Sequence, residues 1–380
     1  MNNCYVEINT EIIKSNIENI IKKYDNYKYY IGVIKGNAYG HGMEIVKTME
    51  NAGINYFAVS TLEEGLEARK YTDCDMFCLQ PIDIDELKEA SKNNIAITIS
   101  SYDYFEKIKD LGFKLKVHIK LDTGMNRLGI KNERELLEIY DYVTSNDNFE
   151  LIGIYTHLAT LGILDKKWDN QINTFVKLTK NIDLEQVPIV HIYSSNSLVI
   201  HPKLKIDNGV RIGILMYGIV PTPVHFNGFK GKLKKIKYRY LQKRFKISRT
   251  LSDYSVNVKP ALKLISSVIE IKNVKKDEYV GYGLKYKTKE DCKIAVVPTG
   301  YMDGLSLKNT GRKVLINDKK YEIVGSVNMK MITVLVDDDV KVGDKVIVIG
   351  GNIKSVSSYT GVTPHVLMTS ISKSIKRIYK

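Results

Sequence analysis

Between residues 29 and 218, eight short apolar runs rich in β-branched and aromatic residues alternate with helical patterns. The runs cover residues 30–35, 56–60, 76–80, 95–99, 116–121, 151–157, 188–193 and 212–217. Ahead of the first, Ile13, Ile17, Ile20 and Ile21 recur at helical spacing and mark one apolar face. Thr61-Leu62-Glu63-Glu64 reads as a capping box that starts a helix after the second run. Eight strands, each followed by a helix, predict an α/β chain folded as a (β/α)8 TIM barrel rather than a doubly wound sheet. In such a barrel the chemistry gathers at the C-terminal ends of the strands.

After residue 258 the texture changes. Strand signals become short and closely spaced, with turns at Val280-Gly281-Tyr282-Gly283, Asn317-Asp318 and Val342-Gly343-Asp344. This predicts a separate C-terminal all-β domain. The expected division is a barrel over 9–225, a basic insertion over 226–255 and a β domain over 256–380, with residues 1–8 a candidate strand of that last domain. The length of 380 residues accommodates both units.

The formal charge of +14 is concentrated. Ten Lys or Arg and no acidic residue fall between 227 and 252, leaving +4 for the rest of the chain. Basicity therefore describes the insertion and not the whole protein. No nucleic-acid-binding module accompanies it, so a nucleic-acid partner is not expected. Leu233, Ile236, Tyr240, Leu241 and Phe245 fit one face of a basic amphipathic helix, a pattern compatible with a membrane surface, an acidic partner or simple packing on its own subunit. The start of the chain has no basic and apolar leader, and no apolar run approaches the length of a membrane span; a cytoplasmic protein is expected. Cys4, Cys74, Cys78 and Cys292 are scattered without a second Cys or His pair, so neither a zinc site nor any other metal is expected.

The strongest chemical signal is Val33-Ile34-Lys35-Gly36-Asn37-Ala38-Tyr39-Gly40-His41-Gly42. It sets a lysine at the end of a buried strand, before a glycine-rich turn. Partial burial lowers the charge of such a lysine and makes it nucleophilic, as a Schiff-base lysine requires. Other candidates also fall at strand ends. Lys120 and Asp122 end the fifth run, within Lys120-Leu121-Asp122-Thr123-Gly124-Met125-Asn126-Arg127-Leu128-Gly129; His157 ends the sixth; Ser194 and Ser195 follow the seventh. Arg211 and Gly213 lie at the start of the eighth, an irregularity that questions that boundary.

These motifs resemble, in order and over nearly the whole chain outside the insertion, those of the alanine racemase family. The resemblance implies a pyridoxal 5′-phosphate-dependent amino-acid racemase, a fold type III enzyme. Lys35 corresponds to the cofactor lysine, and Tyr39, Ser195, Gly213 and Ile214 to ligands of the cofactor phosphate. Arg211 corresponds to the arginine facing the pyridine nitrogen. Because arginine stays protonated, that nitrogen stays neutral and a long-lived carbanionic state is disfavoured. His157 corresponds to the histidine linking this arginine to a catalytic tyrosine. Lys120 resembles the family lysine that is often carbamylated, and Arg127 the substrate-orienting arginine it contacts. In the β domain, Val280-Gly281-Tyr282-Gly283, the segment 297–304 containing Tyr301 and the segment 325–329 ending in Met329 match three further motifs. Tyr282 would be the second acid/base opposite Lys35, with Tyr301 and Met329 on the substrate side. The resemblance further implies a homodimer whose active sites are shared, in a cell that needs D-amino acids for peptidoglycan.

The chain departs from the family at its substrate side. Lys330 stands where an aspartate is usual, and His365 where a phosphate-side tyrosine is usual. Leu307, Ser326 and Gly162 replace charged residues of the entrance. His191-Ile192-Tyr193-Ser194-Ser195 looks more like the serine/alanine racemase branch. A polar side chain, serine first and alanine also accepted, is therefore expected. Two other readings stay open on sequence grounds: an amino-acid decarboxylase of the same fold, and a degenerate racemase that binds an amino acid or a partner. Two opposed bases, Lys35 and Tyr282, distinguish racemisation from the former; intact proton-transfer residues argue against the latter.

Overall fold

The computed structural model describes residues 4–159, 166–221 and 256–380, together with Leu233, Ile236 and Tyr240. Strand β1 (Tyr5–Ile8) is followed by helix α1 (Thr10–Lys23). Eight parallel strands then close into a barrel in chain order: β2 (Tyr29–Val33), β3 (Tyr56–Val59), β4 (Met76–Cys78), β5 (Ile95–Ile99), β6 (Leu115–Lys120), β7 (Phe149–Tyr155), β8 (Ile189–Ser194) and β9 (Gly209–Ile212). The closure is the β2–β9 pairing, with Ile31 opposite Arg211. Strands β3 and β5 are buried along their whole length, as a barrel with helices outside and packed side chains inside requires.

The remainder forms a nine-stranded sheet and a two-stranded ribbon. Within the sheet, β1 runs antiparallel to Leu262–Ser267 and parallel to Arg377–Tyr379. The chain thus begins in the β domain, builds the barrel and returns. Asn16 fastens the return. Its amide nitrogen donates to the carbonyls of Met216 (2.9 Å) and Lys259 (2.8 Å), and its oxygen accepts from the Lys259 amide at 2.8 Å. Gly218, at φ +86°, passes so close to Lys259 that a Cβ would fall 1.9 Å from that carbonyl oxygen.

The expected barrel and all-β domain are both present, with three local corrections. The eighth strand is Gly209–Ile212 and not 212–217; residues from Gly213 onward form the turn that leaves the barrel. The apolar appearance of Ile214, Leu215 and Met216 reflects burial in that turn. The shift puts Arg211 inside the strand and Gly213 just past its end. In α1, Ile13, Ile17 and Ile20 are buried, whereas Ile21 is only partly so. The capping box is only half formed: Thr61 accepts from the Glu64 amide at 3.3 Å, but the Glu64 side chain goes elsewhere.

Of the basic insertion, Leu233, Ile236 and Tyr240 are helical and exposed, on one face by their spacing. Leu241 and Phe245 lie outside the described residues, as does Gly162. Among the described residues no helix is long and apolar enough to cross a membrane.

Candidate active site

The C-terminal ends of the strands surround a cavity of about 720 Å³. Lys35, Tyr39, Lys120, Arg127, His157, Ser194, Ser195, Arg211, Gly213 and Ile214 all line it, whereas Asp122, the other strand-end candidate, does not. Helix α2 (Leu62–Arg69) contributes Glu64, and helix α3 (Pro364–Thr369), from the β domain, contributes His365 and Thr369 across the mouth.

Lys35 follows β2 by two residues and opens the stretch Gly36–Tyr39, whose four φ angles are +64°, +55°, +49° and +53°. Only glycine visits this left-handed region freely; Asn37, Ala38 and Tyr39 each cost roughly 1–2 kcal/mol there. Tertiary contacts must therefore impose the turn. It carries the Lys35 side chain into the cavity and folds Tyr39 back beneath it. Burial, and then the charge of Arg127, hold the Lys35 amine below the ordinary lysine range; Glu64 opposes them and Arg211 reinforces them.

Tyr39 is buried against Tyr217, with ring centroids 4.8 Å apart, and lies 5.9 Å from the His365 ring. Its hydroxyl lies so near Gly213 that a Cβ at that glycine would be 2.7 Å from it. Ser195 accepts from the Gly213 amide at 2.8 Å. A hydroxyl pair and a glycine amide thus converge at one end of the cavity, where backbone approaches with no side chain between. Such an array suits a phosphate.

Arg211 is fully enclosed. Its Nη1 donates to Nδ1 (2.8 Å) and the carbonyl (2.7 Å) of His191. Its Nη2 donates to the carbonyls of Thr156 (2.7 Å) and Ile192 (2.9 Å) and faces His157 Nδ1 at 3.3 Å. Among the described residues Nε–H has no partner, so one donor of a residue lining the cavity is left for a ligand acceptor. Burial lowers the guanidinium to about 10, still protonated at neutral pH. Burial and the neighbouring cations push His157 down to about 3, so it is a neutral acceptor. The positive charge of the expected His157–Arg211 pair therefore resides on the arginine alone.

Lys120, at the end of β6, is pushed down to about 8 by burial, then by Arg127 and Arg211. It makes no hydrogen bond with Arg127; as an amine it repels that side chain instead of holding it. The nearby Asp122 carboxylate is committed to the amides of Gly124, Met125 and Asn126 at 2.9–3.0 Å. Tyr282, Tyr301 and Met329 do not line the cavity of their own chain. They lie exposed on the β domain, Tyr282 at 84%. Lys330 also does not line this cavity: its amine pairs with the buried Asp303 at 2.6 Å.

Three supporting residues escape a motif reading. His191 and His118 stack among Phe77 and Tyr155 in the barrel interior, and their rings are linked at 3.1 Å. The signal available was a histidine in the middle of an otherwise apolar run in β6 and β8. Glu64 had no such signal, because it looks like an ordinary capping residue.

Residues 8–221 match the family model described as alanine racemase, N-terminal domain, and residues 261–379 the model described as alanine racemase, C-terminal domain. An alanine racemase of Clostridium perfringens is 32% identical over 397 residues, covering 99% of this chain and 95% of that protein. An alanine racemase of Methanococcus maripaludis is 30% identical, covering 99% and 98%. Among solved structures, alanine racemase of Clostridium difficile superposes with a TM-score of 0.86 at 29% identity, covering 100% of this chain and 96% of that one. The Bacillus anthracis enzyme with bound L-Ala-P gives 0.84 at 29% identity, covering 100% and 95%.

Proposed function

The chain belongs to the alanine racemase family, a pyridoxal-phosphate-dependent amino-acid racemase by that membership, and from this premise we propose that it interconverts the L and D forms of alanine and serine, using Lys35 and Tyr282 of the partner subunit as opposed bases. One observation carries the reading: a lysine held below its ordinary range shares a cavity with the Tyr39–Ser195–Gly213 cradle and the unused Nε–H of Arg211.

These residues fit the cofactor. Tyr39, Ser195 and the amides around Gly213 and Ile214 would hold its phosphate, Arg211 its ring nitrogen and Lys35 its aldehyde carbon. When bound, the cofactor draws electrons from the α-carbon and so acidifies the α-hydrogen. The protein does the rest. Arg211 cannot surrender a proton, so it fixes the ring nitrogen as an acceptor. His157 and His191, both neutral, hold the guanidinium in place. Among the described residues Arg127 has no hydrogen-bond or ion-pair partner, and from the cavity wall it would take the substrate carboxylate. Lys35 would take or return the proton at Nζ on one face.

The opposite face needs a second base, which the cavity of one chain lacks. On the β domain Tyr282, Leu284, Tyr301, Met302, Leu307 and Met329 are each exposed, apolar surface that could cover the barrel mouth of a second copy. This supports a homodimer with shared sites, each completed by Tyr282, Tyr301 and Met329 of the partner subunit. The domain limits 9–225, 226–255 and 256–380 remain the division we favour. Racemisation of alanine and serine would supply D-amino acids for peptidoglycan. Chiral chromatography of L-alanine and L-serine after incubation with the cofactor-loaded enzyme tests the reading; conversion of neither amino acid would reject it.

A further inference from the structure

The turn after Lys35 places four successive residues, Gly36 to Tyr39, at positive φ, three of them with side chains. Part of its backbone is internally bonded: the Ala38 amide reaches the Ile34 carbonyl at 2.7 Å, Gly40 reaches Gly36 at 2.9 Å and Gly42 reaches Asn37 at 3.0 Å. The amide next to the lysine is held from outside. Gly36 N–H donates to Glu64 Oε1 at 2.6 Å, and the other carboxylate oxygen accepts from Ser60 N–H at 2.9 Å. Ser60 directly follows β3. One carboxylate therefore ties the strained turn to the end of the neighbouring strand.

This is not what the local sequence asks of Glu64. At the third position of α2, behind the Thr61 cap, a glutamate ordinarily turns back to the amide of its own cap. Glu64 forgoes that bond and reaches two amides at the barrel mouth. Among the described residues it is also the one acidic residue lining the cavity, which it shares with Lys35, Lys120, Arg127 and Arg211.

We propose that Glu64 is a positioning residue for Lys35: its carboxylate locks the left-handed turn onto the end of β3 and so sets the direction from which the lysine enters the cavity. The inference rests on the proposed function only in taking Lys35 as the cofactor lysine. A charged acceptor suits both amides, since hydrogen bonds to a carboxylate are stronger than neutral ones. Its charge is also the one opposing the cations and polar groups that face Lys35: Arg127 after β6, Lys120 on β6, Arg211 on β9, His157 after β7, Tyr39 on the turn and His365 on α3.

The test compares wild type, Glu64→Gln and Glu64→Asp, each loaded with pyridoxal phosphate. Borohydride fixation followed by peptide mass spectrometry gives the fraction of cofactor joined to Lys35. Steady-state kinetics with alanine give kcat, KM and the pH profile. In Glu64→Gln the amide NH2 group opposes one of the two backbone donors. Fixation should fall at least fivefold and kcat at least tenfold, about the scale of a misplaced catalytic group, with KM changed less than twofold. Loss of the negative charge should also move the acid limb of kcat/KM to lower pH, on the order of half a unit. Glu64→Asp keeps the charge but is too short to span both amides; it should share the loss of fixation and keep the wild-type limb. Wild-type fixation in Glu64→Gln, or a lower kcat with fixation and limb both unchanged, overturns the proposal. If Glu64→Gln does not fold, wild-type fixation and kcat in Glu64→Asp overturn it. A wild-type protein that fixes no cofactor at Lys35 counts instead against the function proposed above.

Discussion

Arg211 Nη1 lies 2.8 Å from Nδ1 of His191 inside the barrel. Because a guanidinium only donates, His191 Nδ1 must accept, and its proton sits on Nε2. That nitrogen is 3.1 Å from His118 Nδ1, whose other nitrogen is 3.1 Å from the Tyr56 hydroxyl. One permanent cation at the cavity floor thus fixes the tautomers of two imidazoles across the barrel and keeps both neutral. Burial and Arg211 act in the same direction, pushing His118 down to about 3 and His191 well below its ordinary value.

Replacing His191 by Phe keeps the stacking on Tyr155, whose ring is 4.5 Å away, but removes the acceptor. A buried charged donor then loses its partner, at a cost of about 1.5–3 kcal/mol. Urea unfolding of the cofactor-free protein should show that loss, and the cofactor should dissociate faster because Arg211 is no longer aimed.

The neutral imidazoles also set acid sensitivity. His118 and His157 titrate near 3 when folded and near 6.5 when unfolded, so the unfolded chain binds more protons between those values. Their contribution is fully present above pH ~6.5 and is lost as pH falls toward 3. Each adds about 1.4 kcal/mol per pH unit to the slope of stability. Urea titrations between pH 5 and 6 should show a shallower slope, by about that amount, in His118→Phe.

Lys120 obeys the same sign in a higher pH window. Its folded pKa of about 8 lies below the unfolded value, so burial of the charged form costs stability at neutral pH. The cost is relieved as pH rises from about 8 to about 10.5, on the order of 3 kcal/mol in all. Lys120→Met should therefore stabilise the cofactor-free protein near pH 7 and remove that rise. An amine near 8 beside Arg127 is also primed to take up carbon dioxide, which would make it anionic and turn repulsion into an ion pair. A carbamate resonance in 13C spectra with labelled bicarbonate, absent in Lys120→Met, would show this.

Gly213→Ala places a methyl group 2.7 Å from the Tyr39 hydroxyl, at ordinary backbone φ. The clash is steric and local, and Tyr39 cannot retreat past Tyr217. Cofactor affinity, read by fluorescence titration, should fall at least about tenfold, which is 1.4 kcal/mol, while the fold is retained. An affinity within twofold of wild type would show that Tyr39 and Gly213 do not form the phosphate cradle.

The barrel was legible because each strand is an apolar run bounded by turns, and the strand-end rule then selected Lys35, Lys120, His157 and Ser195 without reference to their distances. It failed at the eighth strand, where Ile214 to Tyr217 is as apolar as a strand but is buried in the turn that follows it. It also missed Glu64, because a capping pattern in sequence does not reveal that the carboxylate is diverted to Gly36 and Ser60. At Lys330 the sequence shows only a lysine where an aspartate is usual; its pairing with Asp303, 27 residues away in sequence, emerges only from the fold.

The separation of Lys35 from an exposed Tyr282 predicts complementation. Inactive Lys35→Ala and Tyr282→Phe variants, mixed and allowed to exchange subunits, should regain activity, since one of the two sites in each mixed dimer keeps both bases. Recovery should approach a quarter of the wild-type rate per dimer site at equal mixing, as half the dimers are mixed and each has one intact site. Verified exchange with no recovery would place both bases in one subunit.

We predict that His365 influences substrate choice. Its ring lines the cavity and lies 5.9 Å from Tyr39, at the position where the family carries a tyrosine. An imidazole is shorter than a phenol, leaves room above the α-carbon and can hydrogen-bond a hydroxymethyl group. Burial and the charge of Lys35 lower its pKa, so at neutral pH it is an acceptor as well as a donor. Lys330 pairs with Asp303 and does not line the cavity, whereas His365 does and offers a polar contact to a larger side chain. A permissive pocket discriminates weakly over an added hydroxyl, by about 10²-fold or less, so both alanine and serine should turn over. His365→Tyr should lower kcat/KM for serine about tenfold or more and leave alanine within a few-fold, since it removes space that only the larger side chain uses. Chiral chromatography of both amino acids with both proteins measures the ratio. An unchanged serine-to-alanine ratio in His365→Tyr would remove His365 from the specificity of the site.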